Sequence, residues 1–314
     1  MAEPTASRAL ELRTLTRHEE LVEVEAIQRE VWGLEDLHVV PAAQMRAVAH
    51  AGGMVAGAFR GGTMLGFAYG FLAAGHEPET TGPGLHSHML AVRESGRQGG
   101  VGKALKWFQR EWCLSQGIRW ACWTFDPLQA KNARLNLEHL GATARSYLTN
   151  FYGPMSGPLG GGQETDRLLA VWQLESARVA RLASAEPSAV TQPGGGAPGR
   201  GPADAGINPR VADGEIWLLR SARQDGGPDR PQIVSSAEEV LAQAAKRPDA
   251  VLRVAVPTDV TRLMREAPGD AKAWRAAIRS ALPLALEAGY RATRFLDGAY
   301  ALVQQGKSKP NLTE

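Results

Sequence analysis

The residues with the clearest chemical meaning form a glycine cluster in the stretch HMLAVRESGRQGGVGKALKWFQREW, residues 88–112. Gly99, Gly100 and Gly102 stand where an apolar run gives way to a helical pattern. Glycines between a strand and a helix let the backbone approach a ligand closely and point several amides at it, while the helix N-terminus adds a partial positive charge. The cluster therefore predicts a phosphate-binding loop.

Two common phosphate-binding motifs fit this cluster poorly. A Walker A loop has four residues between its first glycine and a Gly-Lys-Ser/Thr end, but five residues separate Gly96 from Gly102, and Ala104 replaces the hydroxyl. A dinucleotide fingerprint that begins at Gly100 has Leu105 in place of its third glycine. A tight turn whose glycines only permit packing is the remaining structural alternative.

The elements around the cluster predict a layered α/β domain with a mixed sheet. Strands are expected over residues 9–15, 52–59, 63–72, 85–93, 118–125, 142–151 and 167–174. Helices are expected from an N-cap at Thr16 to Gly33, and over 42–50, 101–116 and 129–140. The strand at 118–125 is apolar on both faces, which is typical of a strand covered on both sides. On the helix after the glycines, Val101, Leu105 and Phe108 form an apolar stripe, and Lys103 and Lys106 lie off it.

A Gly/Pro-rich stretch divides the chain. We expect one domain over residues 1–180, a linker over 181–209 and a smaller C-terminal α/β domain over 210–314. The C-terminal part has a strand at 251–257, a helix over about 270–288 with Pro283 inside it, and a hairpin turn at Asp297-Gly298. It has no dense cluster of His, Cys, Asp or Glu, so the chemistry is expected in the first domain.

The bulk composition excludes several classes of protein. The 314 residues carry a formal net charge of +2, which gives no electrostatic footprint for nucleic acid. No 18-residue apolar run and no signal-peptide pattern is present, so we expect no membrane partner and a cytoplasmic location. Cys113 and Cys122 are the only cysteines and offer neither a disulfide framework nor a metal-ligand spacing. We expect no bound metal.

The pattern Arg97-x-x-Gly100-x-Gly102, which follows the strand HMLAVR, resembles the hallmark of the GNAT superfamily of acyl-CoA N-acyltransferases. The order of strands and helices resembles that fold over roughly residues 8–175. The stretches VWG, SHMLAVR, WTFDPLQAKNARLNLEHLGA and NFYG also resemble one branch of the superfamily. Members of this branch carry an extra C-terminal region, and some are associated with N-acylation of amino acids.

The resemblance implies a site for acetyl-CoA or another acyl-CoA, used as co-substrate. By position in the motif, the loop that holds the pyrophosphate comprises Arg97, Gln98, Gly99, Gly100, Val101, Gly102 and Lys103. The strand before the loop pairs its main chain with the pantetheine arm at Leu90, Ala91 and Val92. Asn132 falls near a helix asparagine that often touches the cofactor, although a solvated helix residue fits it equally well.

The resemblance also implies where a general acid and a general base lie. Family members often have a tyrosine four residues before a glycine in the helix after the central strand, but Leu137 stands there before Gly141. Tyr152 and Tyr147 are the replacement candidates for the acid, and core or rim roles compete for both.

His86 and His88 share a strand face, and a histidine pKa suits proton removal near neutral pH. We choose His88 as the base, because it lies nearer the point where strands of this fold splay. A His-x-His pair also binds zinc in some proteins, but no third ligand with clear spacing is present. Satisfied structural histidines are the other alternative.

Two further features carry open alternatives. Asp126 follows the central strand, where α/β ligands gather, and helix capping explains it equally well. Glu35, Asp36 and His38 lie in a loop that covers the acceptor in this superfamily, and so they are expected to shape specificity for the amine.

Two functions follow from the resemblance. The first is an enzyme that transfers an acetyl or succinyl group from CoA to a small primary amine, such as an amino acid, by direct attack on the thioester. The second is a non-catalytic acyl-CoA sensor, which the missing tyrosine favours slightly. The C-terminal region is hypothesised to be a degenerate half of the same fold that closes the acceptor site. Exposed strand edges in this fold often pair, so a homodimer is also compatible with the resemblance.

Overall fold

The computed structural model describes residues 9–75, 79–153, 164–186, 215–222, 229–247 and 249–304. The strands are β1 Glu11–Thr14, β2 Met54–Arg60, β3 Thr63–Ala73, β4 Gly84–Val92, β5 Trp120–Phe125, β6 Thr143–Leu148, β7 Arg167–Gln173, β8 Glu215–Ala222, β9 Arg230–Ile233, β10 Val251–Ala255, β11 Tyr290–Leu296 and β12 Ala299–Gln304. The helices are α1 His18–Trp32, α2 Ala42–His50, α3 Val101–Ser115, α4 Ala130–Arg134, α5 Ala177–Ser184, α6 Ala237–Ala244, α7 Val260–Glu266 and α8 Pro268–Glu287.

The described strands form one mixed sheet in the order β1-β2-β3-β4-β5-β7-β6-β11-β12-β10-β8-β9. Helices and strands are interspersed along the described chain around one mixed sheet, so the α/β expectation is confirmed. The first half contributes β1 to β7 and the C-terminal part contributes β8 to β12. The two parts join where Ala144 of β6 pairs with Ala292 of β11.

Helices cover both faces of the first half of the sheet. Side chains of α1 and α2, among them Leu21, Ile27 and Met45, pack with Tyr69 and Phe67 on one face. On the other face α3 packs Leu105 and Phe108 against the β2–β3 region. Burying both faces removes apolar surface from water and fixes the sheet between two helical layers.

The sheet opens between its two central parallel strands. β4 and β5 pair at Leu85–Ala121 and His86–Cys122 only, and then the strands diverge. We call this opening the strand fork. Just beyond it, the pairing of β3 with β4 shifts, because Tyr69 pairs with Met89 while Gly70 pairs with Ser87. This shift leaves His88 as the extra residue of a β-bulge at the fork.

The pairing pattern of the first half recurs in the C-terminal part. β4 and β5 are parallel, and β5–β7 and β7–β6 are antiparallel. In the same way β8 and β10 are parallel, and β10–β12 and β12–β11 are antiparallel. In this copy β8 and β10 stay paired over four residue pairs, from Val251–Glu215 to Val254–Leu219. The described strands β8 and β10 of the C-terminal part therefore form no fork.

The junction between the two copies is symmetric in detail. Ala144 and Ala292, which pair with each other, each follow a left-handed glycine, Gly141 at φ 73° and Gly289 at φ 88°. Directly after Ala144 the β6–β7 register shifts, and directly after Ala292 the β11–β12 register shifts. Equivalent positions of the two copies thus meet at the junction, which supports the hypothesis of a degenerate half-repeat.

Local details differ from the expectations at several points. The N-cap of α1 is Arg17, one residue after the expected Thr16. Lys106, placed off the apolar stripe of α3, is buried at 4% exposure together with Gln109. The helix over 129–140 is helical as α4 and then continues as a π turn over Leu135–His139. Residues 187–209 of the expected linker lie outside the described residues, and α5 crosses the boundary placed at residue 180.

Candidate functional site

The glycine loop lies between β4 and α3. A short 3-10 turn, Glu94–Gly99, leads to Gly100, whose φ of 68° is left-handed, and α3 begins at the next residue. The first helical hydrogen bond runs from the amide of Ala104 to the carbonyl of Gly100, at 3.0 Å. The first amides of a helix have no acceptor within the helix. Those of Val101, Gly102 and Lys103 are therefore available to an anion.

Cationic side chains surround this loop. Arg97 is exposed, and a Cβ atom added at Gly99 would lie 3.1 Å from Nη2 of Arg60. Arg60 ends β2 and was missed by the sequence analysis, because only the fold brings the β2–β3 turn beside the loop. Lys103 forms an ion pair with Glu186, which follows α5, at 2.8 Å. Arginine forks match phosphate oxygens well, so Arg97 and Arg60 suit a pyrophosphate group.

The last residues of β4 line the fork with the main-chain edge that faces β5. Ala91 packs under the α1–α2 layer, while Leu90 and Val92 pack toward α3. Their other edge pairs with β3, at Ala68 for Leu90 and Gly66 for Val92. Since the pairing with β5 stops at His86, this edge of Leu90, Ala91 and Val92 faces the fork.

A group of aromatic rings lies on the α1–α2 face of the fork. The ring of His86 stacks on Phe71 at 5.0 Å between centroids, and the His88 ring lies 5.5 Å from Phe71 and 6.1 Å from Tyr69. His86 Nδ1 also lies 3.5 Å from the Cys122 sulfur. Burial lowers the pKa of His86 to about 4, with repulsion from His88 and Lys106 as smaller causes. Burial also lowers the pKa of His88, although its side chain keeps contact with solvent.

Tyr152 lies at the β5 side of the same face. Its hydroxyl is 3.0 Å from Oγ1 of Thr124, and the side chain is 43% exposed. Thr124 and Cys122 point to one face of β5, and His86 pairs with Cys122, so the tyrosine and the two histidines share a face. Arg167 lies over the Tyr152 ring, with Cζ 5.2 Å from the centroid. The structure thus brings Tyr152 and His88 to one side of the fork.

Tyr147 has a different environment. Its hydroxyl donates to Asp166 at 2.6 Å, and Asp166 also accepts two hydrogen bonds from Arg279 of α8. Burial and the hydrogen bond to Asp166 both raise the pKa of Tyr147. Burial alone would raise the pKa of Asp166, but the hydrogen bonds from Arg279 and Tyr147 lower it. This proton is held firmly, so the geometry favours a structural role for Tyr147.

The helix after the central strand offers two asparagines. Asn132 is exposed, while Asn136, in the π turn, is buried at 3% exposure. π turns inside helices often occur at functional sites. Leu137, at the position of the usual tyrosine, is fully buried in a core shared with Trp123 of β5.

The remaining sequence candidates bind partners within the protein. Asp126 accepts one hydrogen bond from the amide of Leu128 and two from Arg275 of α8. It therefore stabilises the turn after β5 and links this turn to α8. Asp36 pairs with Arg29 in the exposed turn Asp36–His38. Within the described residues no three His, Cys, Asp or Glu side chains come together as a metal site. The described helices also include none that is long and apolar enough to cross a membrane.

No protein-family model and no curated protein matches the chain. Solved structures of acetyltransferases match about half of it. A putative acetyltransferase of the GNAT family from Desulfovibrio desulfuricans is 18% identical and covers 53% of this chain and 99% of its own, with a TM-score of 0.40. A putative acetyltransferase from Salmonella typhimurium, solved with its cofactor acetyl-CoA, is 15% identical and covers 53% of this chain and 95% of its own, with a TM-score of 0.42.

The ribosomal-protein-S18-alanine N-acetyltransferase from Escherichia coli is 15% identical and covers 54% of this chain and 96% of its own, with a TM-score of 0.42. The strand and helix order of the first half, the fork between β4 and β5 and the glycine loop before α3 are the features that the sequence resemblance implied. These matches cover about half of the chain, and a further C-terminal region lies outside the matched part.

Proposed function

We propose that the protein is a CoA-dependent N-acyltransferase, which transfers an acetyl or succinyl group from acyl-CoA to a small primary amine such as an amino acid. The observation that carries the proposal is the fork between β4 and β5, directly followed by the left-handed Gly100 at the start of α3. A fork beside an anion-binding helix start accommodates an extended chain that ends in a pyrophosphate.

The chain's own groups suit each part of acyl-CoA. The amides of residues 99–103, with Arg97 and Arg60, bind the pyrophosphate by charge and hydrogen bonds. The free edge of Leu90 and Ala91 pairs with the pantetheine amides as an added strand would. Main-chain amides near the β4 bulge donate to the thioester oxygen when it gains negative charge.

The α1–α2 face of the fork is the proposed acceptor side. His88 is solvent-accessible there, and its lowered pKa leaves it neutral at pH 7, so it accepts the proton of the attacking ammonium. The Tyr152 hydroxyl, held by Thr124, is the second proton-carrying group on this side. We propose His88 as the base and Tyr152 as the second proton-carrying group on the acceptor side. Tyr147 is assigned a structural role.

The test is calorimetric titration with acetyl-CoA and succinyl-CoA. Gly100→Asp forces a side chain into left-handed backbone and adds negative charge at the anion site, so we expect at least a tenfold loss of affinity. Gly117→Asp is the matched control, because Gly117 has φ 73° at the other end of α3 and an added Cβ there also meets nothing within 4 Å. Both variants carry similar backbone strain, of about 1 kcal/mol.

Free thiol is then followed while a panel of amines is added. Release of thiol with one class of amine, from a protein whose binding fails in Gly100→Asp and persists in Gly117→Asp, is the expected result. Binding without thiol release would instead favour the acyl-CoA sensor. Equal affinity of the two variants would show that the loop glycines serve the fold alone.

A further inference from the structure

A lysine is buried directly beneath the strand fork. Lys106 of α3 donates to Oγ of Ser87 at 2.7 Å and to Oε1 of Gln109 at 3.2 Å. Its Nζ also lies 3.6 Å from the centroid of the Trp123 ring. Ser87 and Trp123 are the first residues of β4 and β5 beyond their last pair, His86–Cys122. The amine therefore lies at the apex of the fork.

The charge of this lysine is not balanced by a counter-ion within the described residues. Among the described carboxylates none forms an ion pair with Lys106. The titratable groups that face it are Cys113 on α3, Cys122 on β5 and His86 on β4. Burial lowers the pKa of Lys106 to about 7, so both protonation states are populated near neutral pH. Burial raises the pKa of the Cys113 thiol to about 12, so this neighbour stays neutral.

The lysine lies on the opposite side of the fork from the proposed base. Trp123 belongs to the buried core that contains Leu137 of the π turn, whereas Cys122 and Thr124 point to the face with His88 and Tyr152. Lys106 thus lies in the helical layer from which the usual tyrosine acts. Neither Tyr152 nor Tyr147 lies at the apex, so the group that protonates the departing sulfur is unassigned on that side.

We propose that Lys106 is the proton donor to the CoA sulfur, reaching it directly or through the hydroxyl of Ser87. This inference rests on the proposed acyl transfer. The ammonium gives one proton to His88, which releases it to solvent. The neutral amine nitrogen then forms a bond to the acyl carbon and gives its second proton to His88. The carbon–sulfur bond then breaks, its electron pair leaves with sulfur, and sulfur takes a proton from Lys106. Solvent restores the proton of Lys106 and removes that of His88, so the products are an amide, free CoA and one released proton.

The first test measures binding, so it does not depend on turnover. Wild-type protein is titrated with CoA and with desulpho-CoA, which lacks the thiol. A protonated lysine beside the sulfur stabilises the thiolate, so we expect CoA to bind at least fivefold more tightly than desulpho-CoA at pH 7. In Lys106→Met this preference disappears while the affinity for desulpho-CoA stays. Lys272→Met, the same change at an exposed position on α8, keeps the preference.

The second test measures the pH profile of kcat for acetyl-CoA and the best amine. The wild-type kcat falls as the pH rises through about 7, because Lys106 loses its proton there. This fall is absent in Lys106→Met. Its kcat at pH 6.5 falls about 100-fold, near the lower end for general acid catalysis. If Lys106 were only structural, Lys106→Met would keep the same fall in kcat above about pH 7. The variant is expected to fold, because methionine removes a buried cationic group without shortening the chain.

Stability supplies the check on folding. The folded pKa of Lys106 lies below its ordinary 10.5, so the unfolded state binds more protons between about pH 7 and 10.5, and the penalty of the buried cation is complete below pH 7. Lys106→Met should therefore melt at a higher temperature than wild type at pH 7, and the difference should shrink toward pH 10.5.

The outcomes separate the two proposals. If CoA and desulpho-CoA bind equally to wild type, or if Lys106→Met keeps the preference, the role of Lys106 is overturned even where acyl transfer is seen. If the preference depends on Lys106 but no amine releases thiol, the contact with sulfur stands and the proposed acyl transfer falls. If neither ligand binds, the cofactor site and this inference fall together.

Discussion

At the scale of single residues, two tyrosines near the end of β6 show how surroundings decide between chemistry and architecture. Tyr152 is 43% exposed, and its hydroxyl lies within hydrogen-bond distance of the neutral hydroxyl of Thr124, at 3.0 Å. The Tyr147 hydroxyl donates a hydrogen bond to Asp166, which also accepts hydrogen bonds from Arg279. A hydrogen bond to a carboxylate stabilises the neutral phenol and its partner together. The same side chain therefore suits proton transfer at one position and packing at the other.

The two tyrosines supply a matched pair of variants. Tyr152→Phe should lower kcat at least tenfold and change the free energy of unfolding by less than about 0.5 kcal/mol, as exposed substitutions usually do. Tyr147→Phe should leave kcat within twofold and destabilise the fold by about 1–3 kcal/mol, because Asp166 loses a buried donor. Urea unfolding and steady-state rates measure both. The reverse pattern would move the proton-carrying role to Tyr147.

At the scale of elements, α8 connects the two copies through arginines that reach the first half. Arg275 makes a bidentate pair with Asp126 at 2.8 Å for both bonds, and the arginine side chain is 8% exposed. Arg279 reaches Asp166 and Glu164 in the same way. These contacts fix the end of β5 and the start of β7, which carry Thr124 and Arg167 beside Tyr152. α8 therefore positions the proposed acceptor side through contacts from the C-terminal part.

The pair of Arg275 with Asp126 is testable by a double-mutant cycle. Asp126→Asn leaves a buried guanidinium without its anion, and we expect a loss of about 3 kcal/mol in the free energy of unfolding. Arg275→Met in the same chain should recover most of that loss, because the uncompensated charge is gone. Denaturant unfolding of the two single variants and the double variant gives the coupling. Additive losses would show that the two side chains do not depend on each other.

At the scale of the whole molecule, one buried core extends across the described parts of both copies. Leu137 and Trp172 of the first half share this core with Trp274 and Tyr300 of the second. The Tyr300 hydroxyl donates to the carbonyl of Pro127 at 2.7 Å, and Arg178 of α5 donates to the carbonyl of Thr293. Such shared burial couples the stability of the two parts. The described strands of the C-terminal part have no fork, and this part packs against the first half through the shared core.

This coupling predicts that the full chain unfolds in one transition. Circular dichroism and tryptophan fluorescence should give coincident urea midpoints, since Trp172 and Trp274 report on the two parts of one core. Binding of acetyl-CoA to the first half should raise the urea midpoint of the whole transition. Two separate midpoints would contradict the shared core and favour the independent C-terminal domain that the linker composition predicts.

Local patterns in the sequence decide the elements and the glycine loop. Apolar spacing and left-handed glycines place α3 and β4 close to their observed limits, because these signals depend on neighbours along the chain. The same holds for the turn at Asp297-Gly298 and for Gly100. The family resemblance rests on this level, and the choice of His88 as the base rests on that resemblance. The bulge at His88 is a feature of the pairing between β3 and β4.

Only the tertiary structure decided three other matters. Lys106 lies off the apolar stripe of α3 on the helical wheel, and its burial depends on β4 and β5, which diverge above it. Arg60 reaches the loop from a separate turn, and α8 meets Asp126 from about 150 residues away, as the fold of the whole chain dictates. Burial, ion pairing and the continuity of the sheet arise from contacts distant in sequence, and no local pattern encodes them.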